Sequence, residues 1–146
     1  MRTLVRRFIL AAVPGLALFL IPSLARACTC EVYGDGSPRS RMHYAKAVFV
    51  GEVLEVREAT KSEREEYSDA YMGRMRVDRY WKGIKSGEIN IETDMIGCSP
   101  CFRVGEKFLV YGRGKRLNTA CSGTRKLEYA EKDLKALGPG KGFKPK

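Results

Sequence analysis

Residues 47–56 read Ala47-Val48-Phe49-Val50-Gly51-Glu52-Val53-Leu54-Glu55-Val56, and the fold is decided there. Side chains on a strand alternate between faces. Phe49, Gly51, Val53 and Glu55 therefore share one face, and Val48, Val50, Glu52, Leu54 and Val56 share the other. Apolar residues on both faces predict a long strand partly buried on each side. Gly51, with no side chain to pack, marks a bulge or a coil in it.

Downstream, the charged segment from Arg57 to Ser68 reads as a solvated hairpin connection. Alternation resumes from Tyr71 to Trp81, and Lys82-Gly83 turns the chain. A third strand is expected over Glu88–Asp94 and a fourth over Lys107–Gly112. A fifth is expected over Arg116–Cys121, after the turn Gly112-Arg113-Gly114-Lys115. Leu127, Ala130, Leu134 and Leu137 recur at helical spacing, and Gly138-Pro139-Gly140 stops that helix. Upstream, Ser37-Pro38 opens a short connecting helix toward Lys46 that carries the one histidine, His43. These elements predict a mainly β protein, an OB-like five-stranded Greek-key barrel with flanking helices.

The N-terminus has the layout of a secretory signal peptide over residues 1–27. Arg2, Arg6 and Arg7 precede an apolar run from Phe8 to Leu20, and Ala25-Arg26-Ala27 supplies a small-x-small cleavage site. Pro14, Gly15 and Pro22 interrupt the run, which falls short of the roughly 20 residues of a spanning helix. No transmembrane segment is expected after its removal. The expectation is a secreted protein, extracellular or periplasmic, with one domain over 28–138 and a basic disordered tail over 139–146. Of 27 basic and 17 acidic residues, four basic ones (Arg2, Arg6, Arg7 and Arg26) fall in the leader, so the mature chain carries a net charge of +6. That charge fits an anionic surface or polyanion as partner, with Arg113, Lys115 and Arg116 as its contacts. No nucleic-acid motif accompanies it.

All five cysteines, Cys28, Cys30, Cys98, Cys101 and Cys121, lie in the mature part, and an oxidising compartment makes a disulfide framework the default. Cys98-Ser99-Pro100-Cys101 is a Cys-x-x-Cys, but a strand follows it where redox centres use a helix N-terminus to lower the thiol pKa. A zinc site from Cys28, Cys30, Cys98 and Cys101 competes with oxidation, and its one-residue gap suits chelation poorly. One histidine builds no Ser-His-Asp set, and no glycine-rich phosphate loop occurs. The chain is therefore expected not to be an enzyme and to need no cofactor and no intrinsic metal.

Cys28-Thr29-Cys30, the 47–53 strand, Tyr80-Trp81-Lys82-Gly83, Gly97-Cys98 with Phe102, Gly105-Glu106-Lys107-Phe108-Leu109-Val110-Tyr111 and Thr119-Ala120-Cys121-Ser122-Gly123-Thr124 together resemble the tissue inhibitor of metalloproteinases (TIMP) family and its netrin-like relatives. The likeness covers nearly all of the mature chain and implies an OB-like barrel stapled by disulfides. By position it pairs Cys28 with Cys98 and Cys30 with Cys121 and leaves Cys101 as a free thiol; Cys101 is the alternative partner of Cys28.

The resemblance further implies inhibition of a zinc metalloprotease. In that family the α-amine and carbonyl oxygen of the first cysteine, here Cys28, bind the enzyme's catalytic zinc. The second residue, here Thr29, enters the specificity pocket, and Ile96 with Gly97 forms an adjoining contact ridge. The chain departs from the inhibitors in carrying Glu31-Val32 after the third residue and in lacking both a third disulfide and a C-terminal domain. A netrin-like interaction or polyanion-binding module without inhibitory activity is the alternative. A cysteine directly after a leader is also where lipid is attached, although Arg26 and the absence of Leu three residues before Cys28 argue against it. Acylation would block the amine.

Overall fold

The computed structural model describes residues 30–31, 34–63, 70–94 and 99–143. The leader, Cys28 and Thr29 lie outside the described residues, as do Ile96, Gly97 and Cys98.

The described chain is mainly β and antiparallel. A first helix, α1, spans Pro38–Tyr44. It starts where expected, since the Ser37 side chain accepts from the Ser40 N–H at 3.2 Å and Pro38 takes a position needing no donor. It stops two residues before Lys46 because Ala45 is already extended. Then follow β1 (Ala47–Glu58), β2 (Ala70–Lys82), β3 (Glu88–Asp94), β4 (Lys107–Gly112) and the two-residue β5 (Arg125–Lys126). A 3-10 turn, Leu127–Tyr129, leads into α2 (Glu131–Leu137), which ends at Gly138 with φ 81°, and β6 is Lys141–Gly142.

The sheet order is β3-β2-β1-β4-β5, with β6 on β2. Beyond this ladder, the Glu92 N–H donates to the Arg116 carbonyl and the Thr119 N–H to the Glu92 carbonyl, while Arg113 and Asn118 exchange two backbone bonds. The 113–119 loop that follows β4 is therefore tied to β3, while the outer edge of β4 pairs with β5 at Phe108 and Leu109.

β1 is buried on both faces, as its composition predicts. Ala47, Phe49 and Val53 pack inward with Met75, Val77, Ile91, Phe102, Phe108 and Val110. Val48 and Val50 face outward, with Leu109 and Tyr111, beneath Met42 of α1 and Leu134 and Leu137 of α2. Gly51 sits at a register shift, where an added Cβ would lie 2.8 Å from the Arg76 carbonyl oxygen. The third shift in this register, between Val53 and Glu55, overturns the simple alternation for Val56, which packs against the inner core with Phe49 and Val53. One extra residue moves all that follows to the opposite face.

Two further expectations are corrected. Arg116–Cys121 is not a continuous strand: residues 114–117 turn, and Leu117 (φ 55°) and Cys121 (φ 50°) hold left-handed conformations that interrupt extension. β5 at Arg125–Lys126 takes the place beside β4. The tail is ordered beyond Gly138, because Gly140 fits against the Trp81 ring where a Cβ would come within 2.9 Å. Lys141–Gly142 then pairs with Arg79–Tyr80, and Phe143 packs on Tyr80 at 5.1 Å between ring centroids. Residues 144–146 lie outside the described residues.

Candidate functional site

Cys30 is bonded to Cys121, with Cα atoms 5.3 Å apart across a sequence separation of 91. What Cys30 is anchored to matters more than the bond itself. The loop carrying Cys121 is fastened to β3 by Thr119, whose N–H and hydroxyl both donate to the Glu92 carbonyl at 3.1 Å. It is fastened to itself by the Ser122 hydroxyl, which donates to the Thr119 carbonyl at 2.9 Å, and by the Asn118 side chain, which accepts from the Ala120 N–H at 2.8 Å. The Arg113 guanidinium donates to the Ala120 carbonyl from the end of β4. The disulfide thus ties an exposed residue near the expected mature N-terminus to the junction of β3 and β4.

Beside the disulfide is a cleft of ≈ 260 Å³ walled by Cys30, Arg41, Tyr44, Tyr111, Arg113 and Cys121. Two of these residues, Tyr111 and Arg41, are held by Asp133 of α2, 4% exposed. The Tyr111 hydroxyl donates to Asp133 Oδ2 at 3.0 Å, Arg41 of α1 donates to the same oxygen at 3.3 Å, and Arg125 stands 3.8 Å away. Burial, and next the negative charge of Asp133, push the Tyr111 hydroxyl well above the ordinary phenol value. Gly123 (φ 85°) leaves room for Arg41, since a Cβ there would fall 2.6 Å from Cδ of that side chain. Sequence reasoning missed this cluster. Its signal was an acid at helical spacing from Ala130 and Leu137, on the stripe otherwise read as apolar.

Cys28, Thr29, Ile96, Gly97 and Cys98 lie outside the described residues, while Cys101 is exposed and bears a free thiol. No helix follows Cys101: residues 101–103 are irregular and 104–105 turn. Of the cations assigned to a polyanion, Arg113 binds the Ala120 carbonyl, Arg116 lies 3.6 Å from Glu92, and Lys115 is exposed on the turn. His43 is exposed, with its ring edge-on to Tyr44 at 5.1 Å. Among the described residues no group of three His, Cys, Asp or Glu side chains could hold a metal ion, and no helix is long and apolar enough to cross a membrane.

No family model matches the chain, and a search of the curated proteins returns no match.

Proposed function

We propose that the chain is an exported TIMP-like inhibitor of a zinc metalloendopeptidase, a binder rather than an enzyme, which presents the Cys28 α-amine and carbonyl to the protease's zinc. The observation that carries this reading is the Cys30–Cys121 bond. An exposed Cys30 bonded to the Cys121 loop leaves the nitrogen of Cys28 within about 9 Å of an anchored Cα, since two extended residues and one further N–Cα bond span no more than that. The free thiol of Cys101 supports the pairing of Cys28 with Cys98 that the resemblance implies, which would anchor both cysteines of the Cys-Thr-Cys start. The antiparallel sheet, with the 113–119 loop hydrogen-bonded to β3, supports an OB-like barrel beneath them.

Chelation needs a neutral amine, and an α-amino pKa near 8 makes loss of its proton easy when zinc binds. Thr29 would enter the specificity pocket, and Ile96 and Gly97 would form the flanking ridge. Exposed Glu31 places a carboxylate beside that surface, which disfavours proteases acidic around the cleft. The alternative of a polyanion module working through Arg113, Lys115 and Arg116 has less support, because two of the three are already engaged within the fold.

Mature protein beginning at Cys28, with an intact mass four protons below the reduced value, should slow a zinc endopeptidase. Acetylating its amine, or placing one alanine before Cys28, should abolish the effect. Equal potency after either change rejects the chelating N-terminus.

A further inference from the structure

We propose that Asp133 is a positioning residue for the Cys30–Cys121 anchor, acting through Arg41 and Arg125, which both hold Gly123. The consequence for inhibition rests on Cys28 being the zinc-binding end; the positioning of Cys30 does not.

The loop that carries Cys121 is fixed at two points, with the cysteine midway between them in sequence. One is Thr119, whose N–H and hydroxyl bind the Glu92 carbonyl of β3. The other is Gly123. A Cβ on this residue would stand 2.6 Å from Cδ and 2.7 Å from Nε of Arg41, so the arginine lies directly on the glycine backbone. The Gly123 carbonyl accepts from Nε of Arg125 at 3.1 Å. Beside it, the Thr124 hydroxyl accepts from the Tyr111 N–H at 2.9 Å and lies 2.7 Å from the Ser122 hydroxyl. The disulfide then passes the position of this loop to Cys30.

Both arginines are aimed by one carboxylate oxygen. Arg41 of α1 donates to Oδ2 of Asp133 at 3.3 Å, and Arg125 of β5 stands 3.8 Å from the same atom. The two arginine side chains are 27% and 35% exposed, so without the acid each could turn to water and leave Gly123. Packing alone does not call for an acid here. Leu134 and Leu137 of the same helix pack on the outer core, and apolar residues often replace a buried ion pair without loss of stability. An apolar residue, however, could not hold two guanidinium groups at one point, because charge-assisted hydrogen bonds need an ionised acceptor. The Tyr111 hydroxyl also donates to Oδ2, at 3.0 Å, and its removal would leave both arginines on Asp133.

The test uses the mature protein and compares Asp133→Asn, Arg125→Gln and Tyr111→Phe, with circular dichroism certifying each fold. Asp133→Asn removes the charge that aims both arginines. Arg125→Gln removes one arm without leaving a buried cation, and it decides the matter should the first variant fail to fold. Tyr111→Phe takes one hydrogen bond from Asp133 and leaves both arms, which makes it the control for stability alone. Two readouts are local to the anchor: amide hydrogen exchange at Ser122 and Thr124, and the rate at which dithiothreitol reduces the Cys30–Cys121 bond. Both should rise about tenfold in Asp133→Asn, about threefold in Arg125→Gln and less than about twofold in Tyr111→Phe. Equal rises in Tyr111→Phe and the other variants, or parental rates in Arg125→Gln, would overturn the assignment. Against a zinc endopeptidase, Asp133→Asn should inhibit about tenfold less well, and full potency despite a loosened anchor would overturn the link to the inhibitory end. If the parent protein inhibits nothing, the zinc-binding role of Cys28 fails, while exchange and reduction still decide the role of Asp133.

Discussion

Removing the Cys30–Cys121 bond by the double substitution Cys30→Ala/Cys121→Ala should destabilise the domain chiefly through its unfolded state. Cys30 is exposed and Cys121 only half-buried, so little apolar burial is lost with the sulfurs. The bond closes a loop across a separation of 91, for which loop-closure entropy gives about 4.6 kcal/mol at 25 °C. If Cys28 is bonded to Cys98, the shortest covalent loop through both bridges contains only about 25 residues, and the same relation gives about 3.5 kcal/mol. For the 119 residues expected after removal of the leader, either figure is a large share of a total of about 6–18 kcal/mol. Urea unfolding followed by circular dichroism should show a lower midpoint and a steeper slope, because an uncrosslinked chain exposes more surface when it unfolds. A loss below about 1 kcal/mol with an unchanged slope refutes the entropic account. A loss near the larger figure argues that the bond acts without a companion at Cys28.

Two other expectations concern the interior. Gly51→Ala should cost about 1–3 kcal/mol in the same urea titration, because its Cβ would meet backbone at 2.8 Å and the Phe49 ring at 3.1 Å at the register shift; a neutral result would mean that the bulge relaxes freely. Tyr111 is raised above the ordinary value of 10.0 by burial and by Asp133, so the native state holds that proton more tightly than the unfolded chain does. Its contribution is complete below pH 10 and is lost as pH rises above it, so thermal stability should fall on the alkaline side. Tyr111→Phe should flatten that fall, and an identical alkaline profile would count against the coupling.

The net charge of +10 fixes only the sum of the charges; where they act is set by distance. The cations at 113–116 look like a patch because they are adjacent in sequence, yet Arg113 turns to the Ala120 carbonyl and Arg116 to Glu92.

Several features were legible in the chain itself because they depend on local chemistry. Alternation through 47–56 fixes a strand buried on both sides, Ser37-Pro38 fixes the start of α1, and Gly51 marks a register shift. The mainly β class follows from these periodicities, and the pairing of Cys30 with Cys121, implied by the family likeness, is the one found. Tertiary structure alone decided the rest, because each remaining feature turns on partners far apart in sequence. The slip after Val53 sends Val56 inward, Leu117 and Cys121 break the expected fifth strand, and Trp81 and Tyr80 order a tail that composition reads as disordered. Asp133 is buried only because Tyr111, Arg41 and Arg125 converge on it, a carboxylate in an apolar stripe needing partners that local sequence does not contain.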